Sequence, residues 1–167
     1  MPFNRSTTEK CPRDLWERVF NYSATMNIRD IKENDLLQLS NLFYQFWEDI
    51  SDVDKMKEQL QLIKEENNHI ILVCEDDGKI IASVMGIVCR ELYGDCRPFL
   101  VVENMIVDKE YRHQSIGTQL LTELEIKAKD RNCTQMILVT EKDRKDACAF
   151  YEKFGFSQNT TGYKKKL

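Results

Sequence analysis

Six residues between two apolar runs, Arg112-His113-Gln114-Ser115-Ile116-Gly117, are the first candidates for chemistry. A fixed cation is followed by small side chains at Ser115 and Gly117, where a helical period begins. The first turn of a helix leaves about four N–H groups without intrahelical partners, and the helix dipole adds partial positive charge there. Small side chains let a phosphate approach those donors, so His113 to Thr118 form a candidate pyrophosphate cradle opened by Arg112. The same residues also suit a plain helix start, with Ser115 as N-cap and Gly117 as a point of tight packing. Two further residues stand out by type. Glu103 is a carboxylate in an otherwise apolar run, where carboxylates seldom sit without purpose. Burial would disfavour its charged form and suit it to accepting a proton. Tyr151 is a phenol on the apolar face of a later helix, and a phenol is protonated at neutral pH and able to donate. Asn104, on the opposite face of a regular strand from Glu103, is an equal candidate to point at substrate.

A second stretch, Ala147 to Phe156 (ACAFYEKFGF), lies about 35 residues beyond Arg112. Together the two stretches resemble the GNAT superfamily of acyl-CoA-dependent N-acetyltransferases. That family carries Arg/Gln-x-x-Gly-x-Gly/Ala at a strand-to-helix turn, matched here at Arg112 and Gly117, with Ser115 where glycine is usual. The later stretch follows the family's A-x-x-FYxKxGF, with Phe150, Tyr151, Lys153, Gly155 and Phe156 in register. The resemblance spans residues 26–167 and implies an α/β (mixed α+β) fold. Its sheet would be mixed, mostly antiparallel and twisted, with six or seven strands, about four flanking helices and a splayed central strand pair.

The resemblance also implies roles. Acetyl-CoA would be the co-substrate, with no metal, and an acetyl group would pass to a primary amine by direct attack in a ternary complex. Free backbone groups near Met105, Ile106 and Val107 would hold the pantetheine arm, with the N–H of Ile106 or a near neighbour facing the thioester oxygen. His113, Gln114, Ser115, Ile116, Gly117 and Thr118 would donate to the pyrophosphate, and Phe150 and Lys153 would stand on the cofactor side. Tyr151 would be the general acid and Glu103, or a water chain, the base. Tyr44, Trp47, Glu48 and Asp49 end a helix that in this family borders the acceptor, so ring faces and carboxylates there, with Asn104, would bind a cationic amine. A core role for those aromatics is the competing reading. A non-catalytic acyl-CoA sensor of the same fold is the alternative function, and Ser115 is the feature in its favour.

These residues need elements to position them. Val101 to Val107 reads as a strand buried on both faces, and Ile116, Leu120, Leu121, Leu124 and Ala128 recur at helical spacing. Met26 to Ile31 reads as a first strand, and a helix from Glu33 bears Leu36, Leu39, Leu42, Phe43 and Phe46. A second helix starts near Ser51 or Asp52. His69 to Cys74 and Ile80 to Val88 flank an Asp-Asp-Gly-Lys hairpin signal, with Gly86 marking a bulge. Thr134 to Thr140 reads as a buried strand beside Val101–Val107, and Phe156 to Lys165 as an edge strand. Gly155 suits a left-handed cap of the last helix. Residues 1–25 read as an added arm with a short apolar helical stripe, and residues 26–167 as one acyltransferase domain.

Composition bounds the rest. The 167 residues suit one domain, with 42% apolar and 31% charged residues. A formal charge of −4 argues against a general nucleic-acid partner. No run approaches the roughly 20 apolar residues of a membrane span, and no secretion signal is evident, so a cytoplasmic location is expected. Six cysteines form no C-x-x-C pair, and with two histidines a zinc cluster is not expected. No G-x-x-x-x-G-K-[ST] occurs, which argues against a P-loop enzyme. The expected partner is a small-molecule or peptide amine, with a homodimer possible by family habit.

Overall fold

Runs of β-branched residues form one five-stranded sheet in the order β1-β2-β3-β4-β5. The computed structural model describes residues 26–167, and the expectations for residues 1–25 lie outside the described residues. β1 (Asn27–Asp30), β2 (His69–Asp76), β3 (Lys79–Cys89) and β4 (Phe99–Val107) pair antiparallel in succession, and β5 (Met136–Ile137) joins β4 in parallel. The helices are α1 (Leu36–Trp47), α2 (Val53–Glu66), α3 (Ile116–Asp130) and α4 (Lys145–Phe154).

Local chemistry sets the ends of these elements. Asp77 and Gly78 both have positive φ, as the tightest hairpin turn requires, and they join β2 to β3. Asp52 caps α2 by accepting from the N–H groups of Asp54 and Lys55. Gly155 ends α4 at φ 117°, the expected left-handed cap.

The sheet lies between two helical layers. On one face, Ile116, Leu120, Leu121, Leu124 and Ala128 of α3 pack on Leu72, Ile81, Val84 and Leu100, with Phe150, Tyr151 and Phe154 of α4 against the same cluster. On the other, Leu39 and Leu42 of α1 meet Val73, Ile80 and Ile106, with Met56 of α2 against them. Each fully buried leucine or isoleucine contributes about 1.5–3 kcal/mol by leaving water. Gly86 is not at a bulge. A Cβ there would stand 2.8 Å from a Leu124 methyl and 3.0 Å from one of Leu100, so the glycine lets α3 approach β3.

The sheet is shorter than the six or seven strands expected. Of Thr134–Thr140 only Met136 and Ile137 keep ladder pairing, opposite Leu100 and Val101. Phe156–Lys165 is not a strand: its run Ser157 to Gly162 is polar throughout and has no face to bury. This tail passes the continuation of β5, with Gly162 facing a Val139 methyl and Lys164 Nζ 3.8 Å from Glu141. At the opposite edge, Arg29 grips Asp35 through both terminal nitrogens at 2.7 and 2.9 Å and also donates to Glu75, tying β1 to the start of α1 and to β2.

Candidate active site

The strand that organises the site carries one extra residue. Ser83 faces Ile106 while Met85 faces Glu103, so β4 has three steps where β3 has two, and Asn104 takes up the excess at φ +50°. Asparagine tolerates that conformation better than most side chains, so the polar pair inside an apolar run signals a bulge. The bulge resets the alternation. Leu100 and Val102 face α3 before it, and Met105 and Val107 pack toward that face after it, while Ile106 turns to α1.

Pairing with β5 stops at Val101, so among the described residues the edge of β4 from Val102 onward has no strand beside it. The N–H of Asp108 donates to Ile81 at 2.8 Å, in register with the pairs Val107–Ala82 and Ile106–Ser83. Alternation then commits the N–H of Ile106 to Ser83 and turns Met105 and Val107 to the open edge. Of Ile106 and its near neighbours, Met105 and Val107 are therefore the residues whose N–H groups turn to the open edge. The Val107 carbonyl accepts from Arg112 Nε at 3.3 Å.

The turn into α3 is built from left-handed residues. His113 (φ 64°) and Ser115 (φ 63°) flank Gln114, and Ser115 makes no side-chain cap bond, so the plain N-cap reading fails. Among the described residues no acceptor takes the N–H of Gln114, Ser115, Ile116, Gly117 or Thr118. Consecutive amides in such alternating conformations form an anion-binding concavity. The side chains of His113, Gln114, Ser115 and Thr118 are exposed, and that of Ile116 is core, so Ile116 offers only its backbone. The tight-packing reading of Gly117 holds: a Cβ there would be 3.1 Å from Met105 Cε and 3.2 Å from Phe150 Cζ. Phe150 thus buttresses the turn from below, while Lys153 is exposed on α4.

Asp108 anchors this turn, a role the sequence did not reveal. Burial opposes its charge, yet the N–H of Glu110, the ammonium of Lys79 at 3.0 Å and Gln45 Nε2 at 3.3 Å hold its carboxyl below the ordinary carboxylate range. Gln45 belongs to α1 and Lys79 to β3, so the anchor ties the α1 layer and the neighbouring strand to the end of β4.

Tyr151 packs against Phe150 and Phe156, with ring centroids 5.2 and 5.8 Å away. Burial raises its phenol above the ordinary value; the Arg144 cation opposes this and the nearby Glu103 carboxylate reinforces it. Among the described residues its hydroxyl has no hydrogen-bond partner. Glu103 is exposed, not buried, so the desolvation argument for it as a base does not hold; its claim rests on position beside Tyr151. Arg144, also missed from sequence, stacks on Phe46 at 4.5 Å and links the start of α4 to the end of α1.

On the acceptor side, Tyr44, Phe46 and Trp47 are exposed, and Trp47 meets Phe43 and Phe46 edge-on at 5.3 and 4.8 Å. The core reading of these aromatics fails for all but Phe43. Glu48 is an exposed left-handed helix end, and Asp49 is exposed beyond it. Between α1, α2 and the sheet lies a cavity of ≈ 330 Å³, lined by Phe43, Met56, Met85 and Asn104 among others. Of the five expected acceptor residues, Asn104 alone lines it; Tyr44, Trp47, Glu48 and Asp49 do not.

Residues 34–156 match the family model described as Acetyltransferase (GNAT) family. The chain belongs to the GNAT acetyltransferase family. The chain is 29% identical over 135 residues to an aminoglycoside N(6')-acetyltransferase type 1 of Acinetobacter baumannii, covering 80% of this chain and 92% of that one. A putative acetyltransferase from Agrobacterium tumefaciens superposes with TM-score 0.79 at 23% identity, covering 84% and 99% of the two chains. A glucosamine-6-phosphate N-acetyltransferase from Arabidopsis thaliana superposes with TM-score 0.76 at 23% identity, covering 86% and 99%. Five free amides at a strand-to-helix turn, beside an unpaired strand edge, are thus seen in a GNAT chain whose turn has serine for glycine. No group of three or more His, Cys, Asp or Glu able to hold a metal occurs among the described residues, and no described helix is long and apolar enough to cross a membrane.

Proposed function

We propose that this protein transfers an acetyl group from acetyl-CoA to the primary amine of a small-molecule acceptor. The observation that carries the reading is the row of unpartnered amides from Gln114 to Thr118, opening on the unpaired edge of β4. That row fits a diphosphate, because a nest of N–H groups at a helix start offers donors and partial positive charge together. The left-handed Ser115 keeps its amide in the row, so the residue that favoured a non-catalytic sensor no longer favours it.

Acetyl-CoA supplies an acetyl thioester. Residues 114–118 hold its diphosphate, with Arg112 adding charge, and Met105 and Val107 offer amides on the open edge to the pantetheine arm and the developing oxyanion. Attack by the amine nitrogen forms a C–N bond as the C–S bond breaks. Glu103, directly or through water, accepts the amine proton, and Tyr151 gives its hydroxyl proton to the departing sulfur. Raised above its ordinary value, the phenol stays protonated at neutral pH, as the role needs.

The test is thiol release from acetyl-CoA across an amine panel, run beside Tyr151→Phe. A general acid contributes roughly 10²–10⁴-fold, so kcat should fall by at least about 10² in this variant with acetyl-CoA affinity retained. Lost cofactor binding or unchanged turnover would show that the residue has another role.

A further inference from the structure

The cavity under α1 and α2 bears on which amine the site accepts, an inference that rests on the acetyl-transfer reading. Its walls are apolar: Leu36, Leu39 and Phe43 from α1, and Met56, Leu60 and Ile63 from α2. Among the described residues, charged groups line it only at Asp52 and Lys55, and these offset each other. The Asp52 carboxylate already accepts two backbone N–H bonds as the α2 cap and lies 3.7 Å from Lys55 Nζ. No carboxylate is left over to receive a second or third ammonium, and burying an unpaired ammonium against methyl groups is costly.

The inner wall joins the cavity to the reacting end. Met85 and Asn104 line it, and Met85 is the cross-strand partner of Glu103. Directly opposed residues of an antiparallel pair share a face with Cβ atoms about 4.5–5.5 Å apart. The bulge at Asn104 therefore gives the cavity an inner polar end, one side chain from the candidate base. We propose that the acceptor is a monoamine with an apolar tail of a few to about six carbons: the tail fills the cavity and the nitrogen lies at Asn104 and Glu103. A polycationic, polyhydroxylated amine fits these walls poorly. Acyl transfer to the monoamine forms the C–N bond and breaks the C–S bond as above, releasing an N-alkylacetamide and the free thiol.

The experiment measures thiol release by the full-length protein with acetyl-CoA and n-propylamine to n-hexylamine, with kanamycin as the polycation. Burying one methylene is worth about fourfold, so kcat/KM should climb roughly sixtyfold over the three added carbons and exceed that for kanamycin. Met85→Gln and Met56→Gln keep side-chain volume while adding an amide, and each should flatten the climb to about twofold per carbon or less. A flat series in the unaltered protein, or preference for kanamycin, overturns the proposal. Binding of the same amines, followed by ligand-observed NMR without acetyl-CoA, separates the two claims. A climb in affinity without thiol release keeps the cavity and refutes transfer, whereas thiol release without a climb refutes the cavity alone.

Discussion

Ser115 holds a conformation that favours glycine, with φ 63° and no compensating side-chain bond. A left-handed backbone costs a non-glycine residue about 1–2 kcal/mol, and glycine returns roughly half of that through its freer unfolded chain. Ser115→Gly is therefore expected to stabilise the protein by about 0.5–1 kcal/mol, raising Tm by ~1–4 °C in calorimetry, with acetyl-CoA affinity undiminished. A lower Tm would mean that the serine hydroxyl has a use in the folded turn. Tyr151 gives a second expectation. Its phenol is raised by burial, so the rate it supports is full below the ordinary phenol value and lost only as pH climbs through a higher one. The alkaline limb of kcat should lie above about pH 10 and vanish in Tyr151→Phe. The cradle and the phenol were legible from sequence as candidates because small residues at a helix start and a tyrosine on an apolar helix face stand out by type. Arg144 and Asp108 were not, because an ion pair or a ring contact between distant segments leaves no local pattern.

Among the elements, α3 and the strands it covers are the most tightly fitted. A methyl at position 86 would meet Leu124 and Leu100 inside contact distance, and both are fully buried. Overpacking of this kind costs about 1–3 kcal/mol, so Gly86→Ala should unfold at lower urea with an unchanged slope and retain its acetyl-CoA affinity. An unaltered midpoint would show that the leucines have room to move. Period and turn chemistry made α1–α4 and β1–β4 readable, since each buries one continuous stripe or run. The long β5 and the edge strand were not readable. Apolar residues at Leu138 and Val139 satisfy a strand pattern, but ladder pairing depends on whether β4 stays alongside, which it does not beyond Val101.

Across the whole molecule, charge pairs fasten the β1 edge of the sheet and the end of β4. The hydrogen-bonded Arg29 guanidinium holds the Asp35 carboxyl below the ordinary value of 3.8, and Asp108 is likewise lowered. A lowered carboxyl contributes stability that is full above that value and lost as pH falls through the folded one. Stability against urea should therefore fall more steeply below about pH 4 in the unaltered protein than in Asp35→Asn, which gives up the pair at every pH. Equal acid sensitivity in the two would remove Asp35 from the account. The extra residue at Asn104 has a further consequence. Because a strand swaps sides at each step, Met105, Ile106 and Val107 lie half a pleat out of phase with Leu100 and Val102. Excising Asn104 would leave two steps of β4 opposite two of β3 and keep Met105 and Val107 toward α3 and Ile106 toward α1, whereas a regular pleat that retained Asn104 would send Ile106 under α3 and Met105 under α1. The facing of these three residues is therefore set by the left-handed backbone at position 104, where a β-branched side chain should be tolerated least.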